Sequence, residues 1–167
     1  MELGYTVETV SALSDESGVI SSTEIRKLIS TGNVAEAARL IGHSYRLQGI
    51  VIHGDHRGRA LGYPTANLQQ SEEKLIPANG IYAGRARLGA ERFMAAVSVG
   101  LRPTVRDDQT IPNVEAYLLD FDREIYGEIL ELEFVQRLRD EMKFDSLDAL
   151  VDQIRDDVAV TRNILMR

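Results

Sequence analysis

Glu128-Ile129-Leu130-Glu131-Leu132-Glu133-Phe134-Val135 decides the fold. Along an extended chain Leu130, Leu132 and Phe134 point one way, while Glu131 and Glu133 point the other. A period of two does not survive on a helix, where the same residues would scatter around the axis. The stretch therefore reads as a half-buried strand. Working backwards, residues 113–120 form a second strand, joined to the first through a turn at 121–127. Residues 81–88 and 92–99 flank Gly89-Ala90-Glu91 and read as a hairpin with a short glycine-containing turn. Residues 45–53 give one more strand. No helical pattern separates these strands, which argues against a parallel α/β sheet. Forward of them, Asp145 or Ser146 can cap a helix carrying Leu147, Leu150, Val151, Ile154 and Val158 as an apolar stripe. Its outer face bears Asp148, Asp152, Arg155 and Asp156. Short strands followed by one amphipathic helix predict a mainly β fold, a closed antiparallel barrel with the helix packed on it.

The chain before residue 45 has another character. Residues 5–10 read as one short strand with no partner nearby, and 13–18 as a polar, turn-forming stretch. Ser21 and Glu24 have capping-box spacing, and Ile25, Leu28 and Ile29 follow at helical intervals. Thr31-Gly32-Asn33 breaks that helix, and a second runs over 34–41 to Gly42.

Composition narrows the function classes. With 167 residues, 44% hydrophobic and 27% charged, the chain can bury a core of its own. The absence of cysteine removes disulfide scaffolds, thiolate nucleophiles and Cys-ligated metals. A net charge of −7 argues against a general nucleic-acid binder, but leaves room for a nucleotide site built from backbone N–H groups and a metal ion. No apolar run approaches membrane-spanning length, and no secretory signal pattern opens the chain, so a cytoplasmic location is expected.

The segment 54–67, G-D-H-R-G-R-A-L-G-Y-P-T-A-N, reads as a glycine-rich loop. Gly54, Gly58 and Gly62 let backbone approach a ligand, and successive N–H groups in such a loop can cradle phosphate oxygens. Pro64 stiffens the part presenting Thr65 and Asn67, whose oxygens suit a hydrated Mg²⁺; a solvated turn is the plainer account. The spacing is neither a Walker A loop nor a dinucleotide fingerprint. Glu115 shares a strand face with Tyr117. It faces either water or a cleft, and in a cleft a carboxylate can take a proton from an alcohol during phosphoryl transfer. Arg137 and Arg139 either bind an anion or pair with Asp140 or Glu141. Arg102-Pro103-Thr104 reads as a loop closing over something. His43, His53 and His56 lack the partners of a metal cluster.

Taken together, Gly58-Arg59-Ala60-Leu61-Gly62-Tyr63-Pro64-Thr65-Ala66-Asn67, Gly80-Ile81-Tyr82-Ala83, Gly100-Leu101-Arg102-Pro103-Thr104 and Val114-Glu115-Ala116-Tyr117-Leu118-Leu119-Asp120-Phe121 resemble the riboflavin kinase family in order and spacing. Tyr126-Gly127 and Arg137-Leu138-Arg139-Asp140-Glu141-Met142-Lys143-Phe144 continue the likeness. Tyr63 stands where the family usually has Phe, and Ser98-Val99-Gly100 replaces a commoner Asn-Ile-Gly.

The resemblance implies a six-stranded antiparallel barrel with a C-terminal helix, turning riboflavin and ATP into FMN and ADP. It assigns the catalytic base to Glu115, and Mg²⁺ and the ATP phosphates to Thr65 and Asn67. The nucleotide site it implies comprises Gly54, Gly58, Arg59, Gly62, Tyr63, Pro64, Thr65 and Asn67, with Arg102 and Arg137 positioning flavin or phosphate. Ile20-Ser21-Ser22-Thr23-Glu24-Ile25-Arg26 resembles the closing motif of an FMN adenylyltransferase module. The implied organisation is a remnant of that otherwise missing module at 1–20, linker helices at 21–43 and a riboflavin kinase domain at 44–167, expected to be monomeric. Two rivals are a flavin- or nucleotide-binding module without catalysis and an assembly fragment of a bifunctional enzyme.

Overall fold

In the computed structural model, which describes residues 4, 8–15, 18–54, 57–103 and 110–166, six antiparallel strands close into a barrel with a long helix against its wall. A small hairpin, β1 (Ser14–Asp15) and β2 (Gly18–Val19), precedes helices α1 (Ser22–Ser30) and α2 (Val34–Ile41). Then come β3 (Tyr45–Ile52), the one-turn helix α3 (Arg57–Ala60), β4 (Ala66–Gln70), β5 (Gly80–Leu88), β6 (Glu91–Pro103), β7 (Thr110–Leu118), β8 (Ile129–Arg139) and α4 (Leu147–Leu165). The barrel order is β3-β4-β7-β6-β5-β8, and β8 pairs with β3 to close it.

The helix signals hold. The Ser21 side chain accepts from the Glu24 amide at 3.2 Å, Asn33 caps α2, and Gly42 ends α2 at φ 85° in the left-handed region. Ser146 caps α4 by accepting from the Ala149 amide at 3.1 Å. The stripe along α4 is only half-buried, however, and Leu147 at its start is exposed. The two buried residues of α4 are polar, Asp157 and Thr161.

Three expectations need correction. Of the strand expected at 5–10, residues 8–10 are outside regular structure and residues 5–7 lie outside the described residues. Within the stretch 13–18, Ser14 pairs with Val19 and Asp15 with Gly18 in a small hairpin, which leaves the expectation of a turn-forming stretch uncontradicted. Residues 54–67 are not one loop: α3 and the start of β4 lie within them. Ala-Asn-Leu-Gln-Gln has weak intrinsic preference for strand, but β4 is held on both sides, by Gly49–Ile52 of β3 and by Val114–Ala116 of β7. Likewise β6 runs on through Arg102, which pairs with Ile111, rather than leaving the sheet there.

Inward-facing Leu47, Tyr82, Val97, Val99, Val114, Ala116, Leu130, Leu132 and Phe134 are all fully buried and fill the barrel. The residues that alternate with them, Ser98, Glu115 and Asn67, must face outward. β8 carries bulges. Tyr82 pairs with Arg137 but Ile81 pairs with Arg139, so one extra residue, Leu138, separates the two pairs. The slip turns the two arginines to opposite faces.

Candidate functional site

The site lies on the outer wall of the barrel, where β4, β7 and β6 run side by side. In register, Asn67 of β4 stands opposite Glu115 of β7, and Glu115 opposite Ser98 of β6. Paired residues share a sheet face, so these three side chains form one row across three strands. Glu115 is fixed at both oxygens: Thr65 Oγ1 donates to Oε2 at 2.9 Å and Asn113 Nδ2 donates to Oε1 at 2.7 Å. Of the two expectations for Glu115, the cleft is the one found. Next to this row, the same face of β6 carries three small residues in succession, Ala96, Ser98 and Gly100 (opposite Tyr117, Glu115 and Asn113), which leaves room above the sheet.

That room is two cavities. One, of about 580 Å³, is lined by Gly58, Arg59, Pro64, Thr65 and Asn67 on one side and by residues 121–126 on the other. Arg59 bridges its mouth to Glu124 at 2.8 Å. The second, of about 290 Å³, is mainly apolar: Leu61, Tyr63, Ile81, Tyr117, Met142, Phe144, Leu150 and Ile154 wall it, with the ion pair of Arg139 and Asp157 beside them. Tyr63 and Tyr117 meet edge to face with centroids 5.3 Å apart. Burial pushes the Tyr117 phenol above its usual range, so it stays a neutral wall. Both sizes fall near the range of small-molecule sites, about 300–1,000 Å³. Gly58, Thr65, Ser98, Glu115 and Glu141 line both cavities, so the two meet at the Thr65–Glu115 hydrogen bond.

Two glycines are required sterically. A Cβ on Gly54 would collide with the Asn67 amide, and one on Gly58 with the Tyr63 carbonyl oxygen. Gly54 thus shapes the site from behind Asn67 without lining either cavity. Gly62, at φ 83°, turns the chain after α3 and also lines neither. Asn67 is 5% exposed, and its Oδ1 has no hydrogen-bond partner. Among the described residues no cluster of His, Asp or Glu is arranged to hold a metal. The oxygens present, an orphaned amide oxygen on Asn67 and the Thr65 hydroxyl two residues before it, are of the type that suits a hard cation keeping most of its shell from water and phosphate.

The structure separates the two arginines of residues 137–139. Arg137 lines neither cavity: it pairs with Asp140 at 2.6 Å, donates to the Asn79 carbonyl and packs on Gly32 beneath the helix pair. Arg139 is the one that reaches the apolar cavity, and it is held by Asp157 at 2.6 Å. Arg102 sits at the rim of β6 with its side chain outside the described residues. Sequence reasoning did not assign Asn113, Ser98, Glu141 or the α4 wall to the site. Only the spacing Asn113-x-Glu115-x-Tyr117 gives a signal for any of them.

A polar, glycine-walled cavity meeting an apolar one at a hydrogen-bonded carboxylate suits an enzyme that moves a group between two ligands. The family model described as Flavokinase, riboflavin kinase, matches residues 41–165, and the chain belongs to that family. A bifunctional riboflavin kinase/FMN adenylyltransferase of Listeria monocytogenes is 44% identical over 156 residues, 93% of this chain and 48% of that protein. The protein of the same description from Bacillus subtilis is 38% identical over 89% of this chain and 47% of its own length. The chain thus spans about half the length of the curated relatives it matches. Among solved structures, riboflavin kinase from Trypanosoma brucei aligns with TM-score 0.53 and 27% identity over 73% of this chain and 77% of that one. A Streptococcus pneumoniae structure titled as a macrolide-efflux protein aligns with TM-score 0.87 and 43% identity, covering 92% of this chain and 50% of that one.

Proposed function

We propose that this chain transfers the γ-phosphoryl group of ATP to the 5′-hydroxyl of riboflavin, giving FMN and ADP. The observation that carries the reading is the meeting of the two cavities at Glu115. The glycine-walled cavity takes the nucleotide and the apolar one the flavin ring, so the ribityl end and the terminal phosphate come together at that carboxylate. Glu115 accepts the hydroxyl proton as the 5′-oxygen bonds to the γ-phosphorus. The bond from that phosphorus to the β,γ-bridging oxygen breaks, and ADP leaves. Thr65 and Asn113 hold the carboxylate in one orientation, so little reorganisation is needed as the proton moves. Thr65 and Asn67 would hold a divalent cation such as Mg²⁺, which supplies charge neutralisation at the phosphates. Gly58, Arg59, Tyr63 and Pro64 would frame the nucleotide, while Gly54 and Gly62 act through the backbone of the same segment. Arg102 remains a candidate for positioning phosphate from the rim; for Arg137 the pairing with Asp140 supports a structural role instead.

The half-length coverage of the relatives supports an organisation in which 1–20 belongs to an adenylyltransferase module, 21–43 links and 44–167 is the kinase domain. The kinase domain is proposed to work as a monomer. A metabolic enzyme using ATP is assigned to the cytoplasm; among the described residues no helix is long and apolar enough to cross a membrane. The efflux label of the pneumococcal structure finds no support here, since the barrel is filled by Leu47, Tyr82 and Phe134. Incubating the chain with riboflavin, ATP and Mg²⁺ and separating products by chromatography tests the proposal. FMN without FAD is expected. Riboflavin binding without FMN would replace it with a binding module.

A further inference from the structure

The geometry points to Glu141 as the residue that reads the polyol chain of the acceptor, an inference that rests on the kinase reading above. Glu141 lies just beyond β8 and lines both cavities. Its carboxylate occupies the space beside Gly100 where a side chain would stand: a Cβ there would collide with Oε1 and lie 3.1 Å from Cδ. Gly100 pairs in register with Asn113, so that empty Cβ position shares a face with the Asn113 side chain. Asn113 in turn donates to Glu115 at 2.7 Å. Glu141 is therefore seated above the same sheet face as the proposed base, across from Asn113 on the neighbouring strand.

Glu141 has no hydrogen-bond or ion-pair partner among the described residues, which leave out the side chain of Arg102, two residues from Gly100 along the same face of β6. The nearest arginines in sequence are committed elsewhere, Arg137 to Asp140 and Arg139 to Asp157. An ionised carboxylate only accepts hydrogen bonds and repels phosphate oxygens. Its occupant must therefore donate. A flavin ring in the apolar cavity and a terminal hydroxyl at Glu115 leave one donor-rich group to pass Glu141, the secondary hydroxyls of the ribityl chain. Accepting from them fixes the chain so that the terminal oxygen, and no other, meets Glu115.

Calorimetric titration of the whole chain with riboflavin, and with lumiflavin, which has methyl in place of ribityl, tests this for Glu141→Ala. A hydrogen bond to a charged acceptor predicts about ten-fold or greater loss of riboflavin affinity, with lumiflavin affinity unchanged. Gly100→Ala, whose methyl takes the carboxylate's seat, should reproduce that selective loss. Equal losses for both flavins would mean a structural role and overturn the inference, as would no loss for either. A change confined to the Mg²⁺ dependence of turnover would mean a cation ligand and also overturn it. Failure of the unaltered chain to make FMN would instead strike the kinase reading, a separate result.

Discussion

Asn67 and Glu115 are direct cross-strand partners, the first on β4 and the second on β7, so an orphaned amide oxygen and a doubly hydrogen-bonded carboxylate stand side by side. The proposed mechanism divides their work. Replacing Glu115 by Gln keeps the shape and removes the proton acceptor. Turnover should fall about 10²-fold or more, with ADP affinity little changed. Single-turnover formation of FMN, alongside calorimetry with ADP, checks both halves; wild-type turnover would take the base role from Glu115.

For Asn67 the expected signature is metal-dependent. Asn67→Ala removes the orphaned oxygen, so ADP binding with Mg²⁺ should weaken while binding with EDTA stays as it was. Gly54→Ala should act in the same direction, because its methyl displaces the Asn67 amide. Titrations with and without the metal measure the difference. Equal loss in both conditions would separate Asn67 from the cation.

Arg139 and Asp157 tie the end of β8 to α4, and both side chains are largely buried, at 17% and 10% exposure. Two contacts in the fork geometry, at 2.6 and 2.9 Å, are joined by a third from Gln153 at 3.1 Å. Removing one partner leaves a charge with little solvent. Asp157→Ala should therefore cost about 3 kcal/mol of stability, read as a lower urea midpoint at unchanged slope. A change under about 0.5 kcal/mol would mean that water already screens the pair.

The strands that were legible are those whose burial alternates. Leu130, Leu132 and Phe134 point into the core as their spacing demands. β4 was not legible, because Ala66–Gln70 has no β-branched or aromatic residue and its strand character comes from partners on both sides. The candidate site divides in the same way. Thr65, Asn67 and Glu115 stand together, joined by the Thr65–Glu115 hydrogen bond and the pairing of Asn67 with Glu115. The apolar cavity draws Tyr63, Tyr117, Phe144 and Ile154 from four separate stretches, so no local pattern announces it. Arg137 and Arg139 look equivalent at i, i+2, yet the bulge at Leu138 sends one under the helix pair and the other into the cavity. A register slip of one residue is invisible to alternation.

The turn after β7 carries a pH dependence whose sign is fixed by Arg162. Asp120 is in the left-handed region at φ 58° and accepts from Arg162 of α4 at 2.9 and 3.0 Å. That hydrogen bond holds its carboxyl below the ordinary carboxylate range. A depressed folded-state value means the group binds protons more weakly folded than unfolded. Its contribution is thus present above the unfolded value, about 3.9, and is lost as pH falls through the folded one. Arg162→Ala should return the Asp120 titration towards the ordinary range, followed by carboxyl-carbon NMR. The stability difference between the two proteins should shrink as the pH drops through that window and be absent below it. A difference that persisted there would come from lost packing of the Arg162 stem rather than from charge.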